Sequence, residues 1–136
     1  MLDKNIPMGW IKGMYIYTIL GAGLSGLGMI LAPGLVQHIF GMGEQDPILF
    51  GVAASIWFAF GVMSVFGLKE PLKFLPILCM QLTYKTAWFV GVVIPLIATG
   101  RFPGYAGFIV VIMVSYIIGD LIAIPFRHLF AGEMRE

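Results

Sequence analysis

Four long runs of apolar residues, separated by short polar breaks, make up most of the chain. They cover about residues 13–31, 48–68, 74–98 and 105–126. Each run approaches the ~20 residues that an α-helix needs to cross a hydrocarbon layer about 30 Å thick. The pattern therefore predicts an all-α fold. We expect a single integral membrane domain over residues 1–136, built as an antiparallel bundle of four transmembrane helices with short loops.

Helix-breaking residues mark the boundaries between the runs. Pro33 interrupts the pattern after the first run. Asp46 or Gln45 can lie at the start of the second helix, with Pro47 in its first turn. Pro125 is expected to close the fourth run. The segment 34–42 between the first two runs is compatible with a short interfacial helix or with a plain loop.

The basic residues are distributed unevenly between the two sides of the predicted bundle. With four spans, both termini lie on one side, and six of the eight lysines and arginines fall there: Lys4, Lys12, Lys69, Lys73, Arg127 and Arg135. Arg101 lies on the opposite side, and Lys85 lies within a span. Because cytoplasmic loops accumulate lysine and arginine, we expect both termini to be cytoplasmic.

Composition agrees with a membrane protein and excludes several other classes. Hydrophobic residues make up 60% of the chain and charged residues 11%, against roughly 25% charge in soluble domains. The net charge of +1 offers no basic surface for a phosphate backbone, so nucleic acid is not an expected partner. The single cysteine, Cys79, excludes an intrachain disulfide. His38 and His128 fall at opposite ends of the spans, so no metal site is predicted, and the pattern shows no catalytic triad.

One glycine motif has a misleading resemblance to a nucleotide site. Residues 21–26 read Gly-Ala-Gly-Leu-Ser-Gly, which matches GxGxxG, but a dinucleotide fingerprint requires a preceding strand and a water-exposed helix start. Here the glycines fall in the middle of an apolar run. We interpret them as small residues spaced by four, Gly21 with Ser25 and Ala22 with Gly26, which allow a neighbouring helix to approach closely.

The candidate chemistry lies in the third and fourth runs. A lysine near the bilayer centre costs roughly 2.5–3.5 kcal/mol on insertion scales, so Lys85 is expected to have a partner, a wet pocket or a function. Gln81, Lys85, Trp88 and Val92 are spaced by three or four residues and share one helical face, with Tyr84 beside it. The candidate ligand-binding residues are Lys85, Asp120, Gln81, Tyr84, Trp88 and Tyr116.

The two intramembrane charges have depths that allow them to meet. Counting from the inner ends of their runs, Lys85 lies about 16 Å deep and Asp120 about 9 Å deep, and their side chains lean towards each other. We therefore predict a buried Lys85–Asp120 ion pair. In the alternative, Asp120 faces Arg127 or Lys73 while Lys85 reaches a wet notch alone. Either arrangement leaves open whether the charges bind a ligand or only fix the helix register.

The chain resembles the DoxX-like group of small bacterial membrane proteins. The resemblance rests on four spans with short loops, on Leu31-Ala32-Pro33 closing the first run and on Phe50-Gly51-Val52-Ala53-Ala54 opening the second. It covers most of the chain and implies a four-helix bundle in the bacterial inner membrane. It also implies an accessory role beside redox or quinone-linked enzymes.

Three functions compete on these observations. The first is a non-catalytic membrane protein whose core binds a small amphipathic, lipophilic or anionic ligand at Lys85 and Asp120, alone, as a homo-oligomer or as an accessory subunit of a membrane complex. The second is an oligomeric proton- or ion-coupled small transporter or channel. The third is an enzyme in which the desolvated Lys85 amine forms a Schiff base. The sequence favours the first, and it indicates no particular cofactor.

Overall fold

The computed structural model describes residues 5–131 of the chain, and these residues contain four helices long and apolar enough to cross a membrane. The helices cover Met8–Leu31, Pro47–Lys69, Leu75–Ala98 and Ala106–Ala123, and they are called the first to fourth spans below. The prediction of four membrane-length helices is confirmed, as expected of a multi-pass membrane protein. Lys4 and Arg135, which contribute to the predicted orientation, lie outside the described residues.

The ends of the spans follow from local side-chain and proline chemistry. The carboxylate of Asp46 accepts hydrogen bonds from the backbone N–H groups of Ile48 and Leu49, both at 2.9 Å, and Pro47 occupies the first turn of the second span. The fourth span ends at Ala123, directly before the Ile124–Pro125 pair, so Pro125 closes it as predicted and the helix is three residues shorter than the approximate boundary at residue 126. Ile124 is extended because it precedes Pro125, whose ring disfavours a helical conformation in the residue before it.

Two short helices lie outside the four spans. Pro33–Ile39 forms one directly after the first span, which decides the alternative left open for segment 34–42 in favour of a helix. The chain then turns through Gly41, whose φ of 68° is the left-handed conformation that glycine adopts readily. The second short helix, Phe126–Ala131, follows Pro125.

The first span packs closely on the second through glycines of the GxGxxG sequence. A Cβ added to Gly26 would lie 2.5 Å from the carbonyl oxygen of Ala54 and from the backbone nitrogen of Phe58, and Gly23 lies against the backbone of Gly61. Close approach at Gly26 confirms the helix-packing interpretation of this motif. The second contact is at Gly23 and not at Gly21, which admits a side chain from the fourth span instead.

The third span contains a π-helical turn that shifts its buried face. Leu78, Gln81 and Lys85 are buried, but Val92, which was expected to continue this face, is 45% exposed and Val93 is buried. The π turn at Phe89–Val93 inserts about one extra residue into a helical turn, which moves the interior position from 92 to 93. Pro95, which lacks a backbone N–H, follows directly in the segment Ile94–Ala98.

Candidate functional site

Lys85 is enclosed between the spans and does not face lipid. Its side chain is 1% exposed. The ammonium nitrogen donates a hydrogen bond to the hydroxyl of Tyr84 at 2.9 Å, and it lies 4.0 Å from the ring centroid of Tyr116 and 4.9 Å from that of Tyr84. An ammonium over an aromatic face is attracted by the negative face of the ring. The lysine is therefore held mainly by two tyrosines.

Tyr84 links the lysine to the second span. Its ring packs against Phe60 with centroids 5.3 Å apart, and its hydroxyl also interacts with the indole of Trp57 through a side-chain hydrogen bond. An indole N–H only donates, so the Tyr84 oxygen accepts from both Trp57 and Lys85. This arrangement orients the ammonium from the side of the second span and gives the half-buried Trp57 a partner for its N–H.

Tyr116 holds the other side of the ammonium and is itself fixed in the first span. Its hydroxyl donates to the carbonyl of Tyr17 at 2.9 Å and accepts from the backbone N–H of Ala22 at 3.2 Å. These two backbone groups are five residues apart, at the π turn Ile19–Gly23. A side-chain group inserted into the backbone ladder is a known cause of such a distortion. A Cβ at Gly21 would collide with the Tyr116 hydroxyl, so glycine is required there.

The rings of Tyr17 and Tyr116 form a stacked pair. Their centroids lie 4.0 Å apart with planes tilted by 10°. Because Tyr17 covers one face of Tyr116 at this distance, the ammonium of Lys85 occupies the other face. The Tyr17 hydroxyl and Ser115 Oγ are 2.6 Å apart, which fixes the outer ring of the stack. The stack leaves Tyr116 little freedom to turn away from the lysine.

Asp120 has a separate set of partners. The carboxylate is fully buried, and the side-chain amide of Gln81 donates to both of its oxygens, at 3.0 and 3.3 Å. The Gln81 carbonyl oxygen lies 3.2 Å from the Thr18 hydroxyl, which donates to the Met14 carbonyl at 2.7 Å. Asp120 is thus connected through one amide side chain to the first span.

The predicted Lys85–Asp120 ion pair is wrong as a direct contact. Within residues 5–131, the ion pair with an N–O distance of 4.0 Å or less is Lys73–Glu70, at 2.8 Å on the surface. The two buried charges still act on each other electrostatically. In place of the lysine, the Gln81 amide, one helical turn before Lys85, donates to both carboxylate oxygens. The alternative pairing of Asp120 with Arg127 or Lys73 is not formed within this distance either.

A cavity of about 170 Å³ adjoins the ammonium. Of the described residues that line it, Lys85 is the charged one. The other polar lining side chains are Tyr17, Ser25 and Tyr116, while Trp57, Phe40 and several aliphatic residues and methionines form the remainder. Val36 and Met42 bring the connection between the first and second spans to the other end of the cavity. An apolar chamber with a few convergent polar groups is the usual form of a small-molecule site.

The structure brings together most, but not all, of the predicted site residues. Lys85, Tyr84 and Tyr116 form one contact group, and Gln81 and Asp120 form the second. Trp88 is half-buried and is absent from the cavity lining, which consists entirely of described residues. The candidate set missed Tyr17, whose ring supports Tyr116. Its spacing of four from Gly21, on one helical face, was the available signal.

One buried hydroxyl has no hydrogen-bond partner. Ser64 in the second span is fully buried, and among the described residues its Oγ has no partner. Helical contacts place Gly67 against Tyr15 and Gly61 against Gly23, so Ser64 falls at the level between these two contacts. It lies at about the same depth as Thr18. The position adds a polar group to this layer of the protein.

Comparison with protein-family models, with curated proteins and with solved structures finds no significant match for this chain.

Proposed function

We propose that the protein is a multi-pass helix bundle of the bacterial inner (plasma) membrane that binds a small amphipathic or anionic ligand at Lys85. The observation that carries this proposal is a buried ammonium on the wall of an otherwise uncharged cavity. Polar and charged residues within membrane spans are expensive and are commonly retained for function. The cavity offers the apolar part of such a ligand a chamber, and Lys85 offers its polar part a charged donor.

The proposed arrangement of the bundle is antiparallel, with both termini in the cytoplasm. Contacts between the first two spans run in opposite chain directions: Tyr15 meets Gly67, Gly23 meets Gly61, and Gly26 meets Ala54. The side that carries the termini also carries Lys12, Lys69, Lys73 and Arg127, whereas Arg101 lies on the other. In this orientation the cavity extends from Lys85 towards the outer side, where Val36 and Phe40 lie.

The residues of the two contact groups take different roles in this proposal. Lys85 contacts the ligand, and Tyr84 and Tyr116 position its ammonium. Gln81 and Asp120 fasten the third span to the fourth beside it. An accessory role in a larger membrane complex, as in the DoxX-like resemblance, is compatible with a binding protein of this size and remains part of the proposal.

A stabilisation screen tests this function. Purified protein in detergent is heated with quinones, sterols, fatty acids and small anions, and the melting temperature is recorded. A ligand at 100 times its Kd stabilises by about 2.7 kcal/mol, which raises Tm by several degrees. We expect at least one compound to raise Tm in the wild type but not in Lys85→Met.

Lys73→Met is the matched control because Lys73 is exposed and pairs with Glu70 on the surface. This variant should keep the full shift. A shift that survives Lys85→Met unchanged would contradict binding at the ammonium.

A second candidate, an oligomeric proton- or ion-coupled transporter, is favoured by the polar chain that crosses three spans. Thr18, Gln81 and Asp120 are joined by hydrogen bonds within the bundle, close to Lys85. Such intramembrane acid and base residues serve as relays in pumps and transporters. Proton flux into proteoliposomes that is lost in Asp120→Asn would support this function. A strictly monomeric protein without flux would contradict it.

A further inference from the structure

The size of the cavity limits what its ligand can be. A volume of about 170 Å³ is close to that of an apolar protein cavity of about 150 Å³ that holds benzene. One six-membered ring with a short substituent therefore fills the space. A substituted fused two-ring body exceeds what this volume can hold at the packing density of a protein interior, and a long acyl chain fits only if it leaves through the end of the cavity near Val36 and Phe40.

The charge of the interior limits the ligand further. Among the described residues, Lys85 and Asp120 are the buried charged side chains, and their formal charges sum to zero. In a medium of low dielectric, an added carboxylate would leave the interior with a net negative charge, which is costly without a further cation. An uncharged hydrogen-bond acceptor adds no charge and still occupies the ammonium.

The ammonium has donor capacity for such an acceptor. A lysine carries three N–H donors, and within residues 5–131 the Lys85 nitrogen makes one hydrogen bond, to Tyr84. The Tyr116 ring engages the ammonium through its face, at 4.0 Å. Since Lys85 also lines the cavity, a donor remains available there. The aromatic side chains of Trp57 and Phe40 offer flat apolar walls to a planar ring.

We infer that the ligand is an uncharged compound of single-ring size whose carbonyl oxygen accepts a hydrogen bond from Lys85. The inference rests on the proposed function and specifies its ligand class. The same head group can belong to a free small molecule or to a lipid whose tail leaves the cavity. Its chemistry at Lys85 is identical in both cases.

A set of aromatic probes tests the inference on the purified full-length protein. Acetophenone carries the carbonyl, ethylbenzene has the same shape without an acceptor, and benzoate carries a charge. Because a hydrogen bond from a charged donor is lost, ethylbenzene should bind about tenfold more weakly than acetophenone. Benzoate should also bind more weakly, and 2-acetylnaphthalene should not bind. Equilibrium dialysis measures each affinity.

Infrared spectroscopy of carbonyl-labelled acetophenone gives a direct readout of the hydrogen bond. The bound carbonyl should absorb at lower wavenumber than in protein-free micelles, and Lys85→Met should abolish this shift while Lys73→Met retains it. Disappearance of the carbonyl band would indicate an imine with the lysine and would overturn the inference. A 4-decyl derivative separates the two sources, since its binding indicates a lipid-borne head and its exclusion indicates a free compound.

The variant Asp120→Asn tests whether the charge of the interior disfavours an anionic ligand. Asp120→Asn removes the negative charge, so benzoate should gain about threefold in affinity relative to acetophenone. If this variant does not fold, the comparison of acetophenone, ethylbenzene and benzoate on the wild-type protein still tests the inference. Tighter, Lys85-dependent binding of benzoate to the wild type would overturn the inference and leave the proposed function standing. Equal, Lys85-independent binding of all three probes would overturn both.

Discussion

The two buried charges have opposite surroundings, although one helical turn separates Gln81 from Lys85 on the third span. The Asp120 carboxylate receives both its hydrogen bonds from a side chain that is itself bound to the first span, and no residue of this group appears in the cavity lining. Lys85 has one hydrogen bond and two aromatic faces, and it borders the cavity. Among the described residues, protein groups partner the carboxylate, whereas the ammonium has spare donors beside the cavity, which supports the ligand site that we propose at Lys85.

The largest expected effect is on the carboxylate side. Gln81→Leu removes both hydrogen bonds to Asp120 and leaves a buried carboxylate without them. Hydrogen bonds to charged groups contribute about 1.5–3 kcal/mol, so the free energy of unfolding should fall by about 3 kcal/mol. Titration with SDS in mixed micelles, followed by circular dichroism, measures this loss.

Two further variants provide reference values for the loss of stability in Gln81→Leu. Met80→Leu alters an exposed residue on the same span and should change the unfolding free energy by less than about 0.5 kcal/mol. Lys85→Met should cost less than Gln81→Leu, because it removes the desolvation cost of the ammonium and leaves both Gln81 hydrogen bonds to Asp120 in place, although the carboxylate loses its counter-charge. If Lys85→Met destabilises as much as Gln81→Leu, the distinction between the two sites fails.

A smaller effect is expected where the lysine site rests on the first span. Gly21→Ala places a methyl group where the Tyr116 hydroxyl lies, so the ring that carries the ammonium must shift. Overpacking of this kind costs about 2 kcal/mol, and the Lys85-dependent ligand shift should shrink as well. Chemical unfolding and the ligand-induced Tm shift are the two measurements.

Gly28→Ala is the control within the same helix. Its Cβ would meet Val36 at 3.5 Å, an ordinary contact, so this variant should be neutral or up to about 1 kcal/mol more stable. Equal losses for the two alanine variants would mean that the Tyr116 contact has no special weight.

The smallest effect concerns the coupling between the two charges. A double-mutant cycle of Lys85→Met with Asp120→Asn should give a coupling free energy no larger than about 1 kcal/mol, because the two charges make no contact within 4.0 Å and interact only through space. The cycle of Gln81→Leu with Asp120→Asn should give about 1 kcal/mol. A larger value in the first cycle than in the second would contradict the observed partners.

The spans were predictable from the sequence because length and hydropathy alone set what can cross a bilayer. The burial of Lys85 also followed from physical reasoning, since an ammonium avoids hydrocarbon. The hydrogen-bond partner of Asp120 could not be predicted in the same way. Axial depth places Lys85 near Asp120 but cannot show that the Gln81 amide reaches both carboxylate oxygens first.

Two local features account for the differences in the third and fourth spans. The π turn at Phe89–Val93 moves the buried position from Val92 to Val93, which a regular helical period cannot show. Pro125 ends the fourth span early by fixing Ile124 in an extended conformation. The contact through which Tyr17 supports Tyr116 joins two residues that are 99 positions apart in the sequence. A local sequence pattern cannot predict such a contact.

The Tyr116 hydroxyl connects the fourth span to the backbone of the first span. It bridges the Tyr17 carbonyl and the Ala22 N–H, which in a regular α-helix would instead bond to the Gly21 N–H and the Thr18 carbonyl. A regular α-helix forms in this part of the first span only if the Tyr116 hydroxyl moves away. The Tyr116 ring, which contacts the Lys85 ammonium, would then move with it. The backbone hydrogen bonding of the first span and the position of the Lys85 ammonium on the third span are therefore coupled. An isotope-labelled amide at Ala22 can consequently report on a change at the lysine.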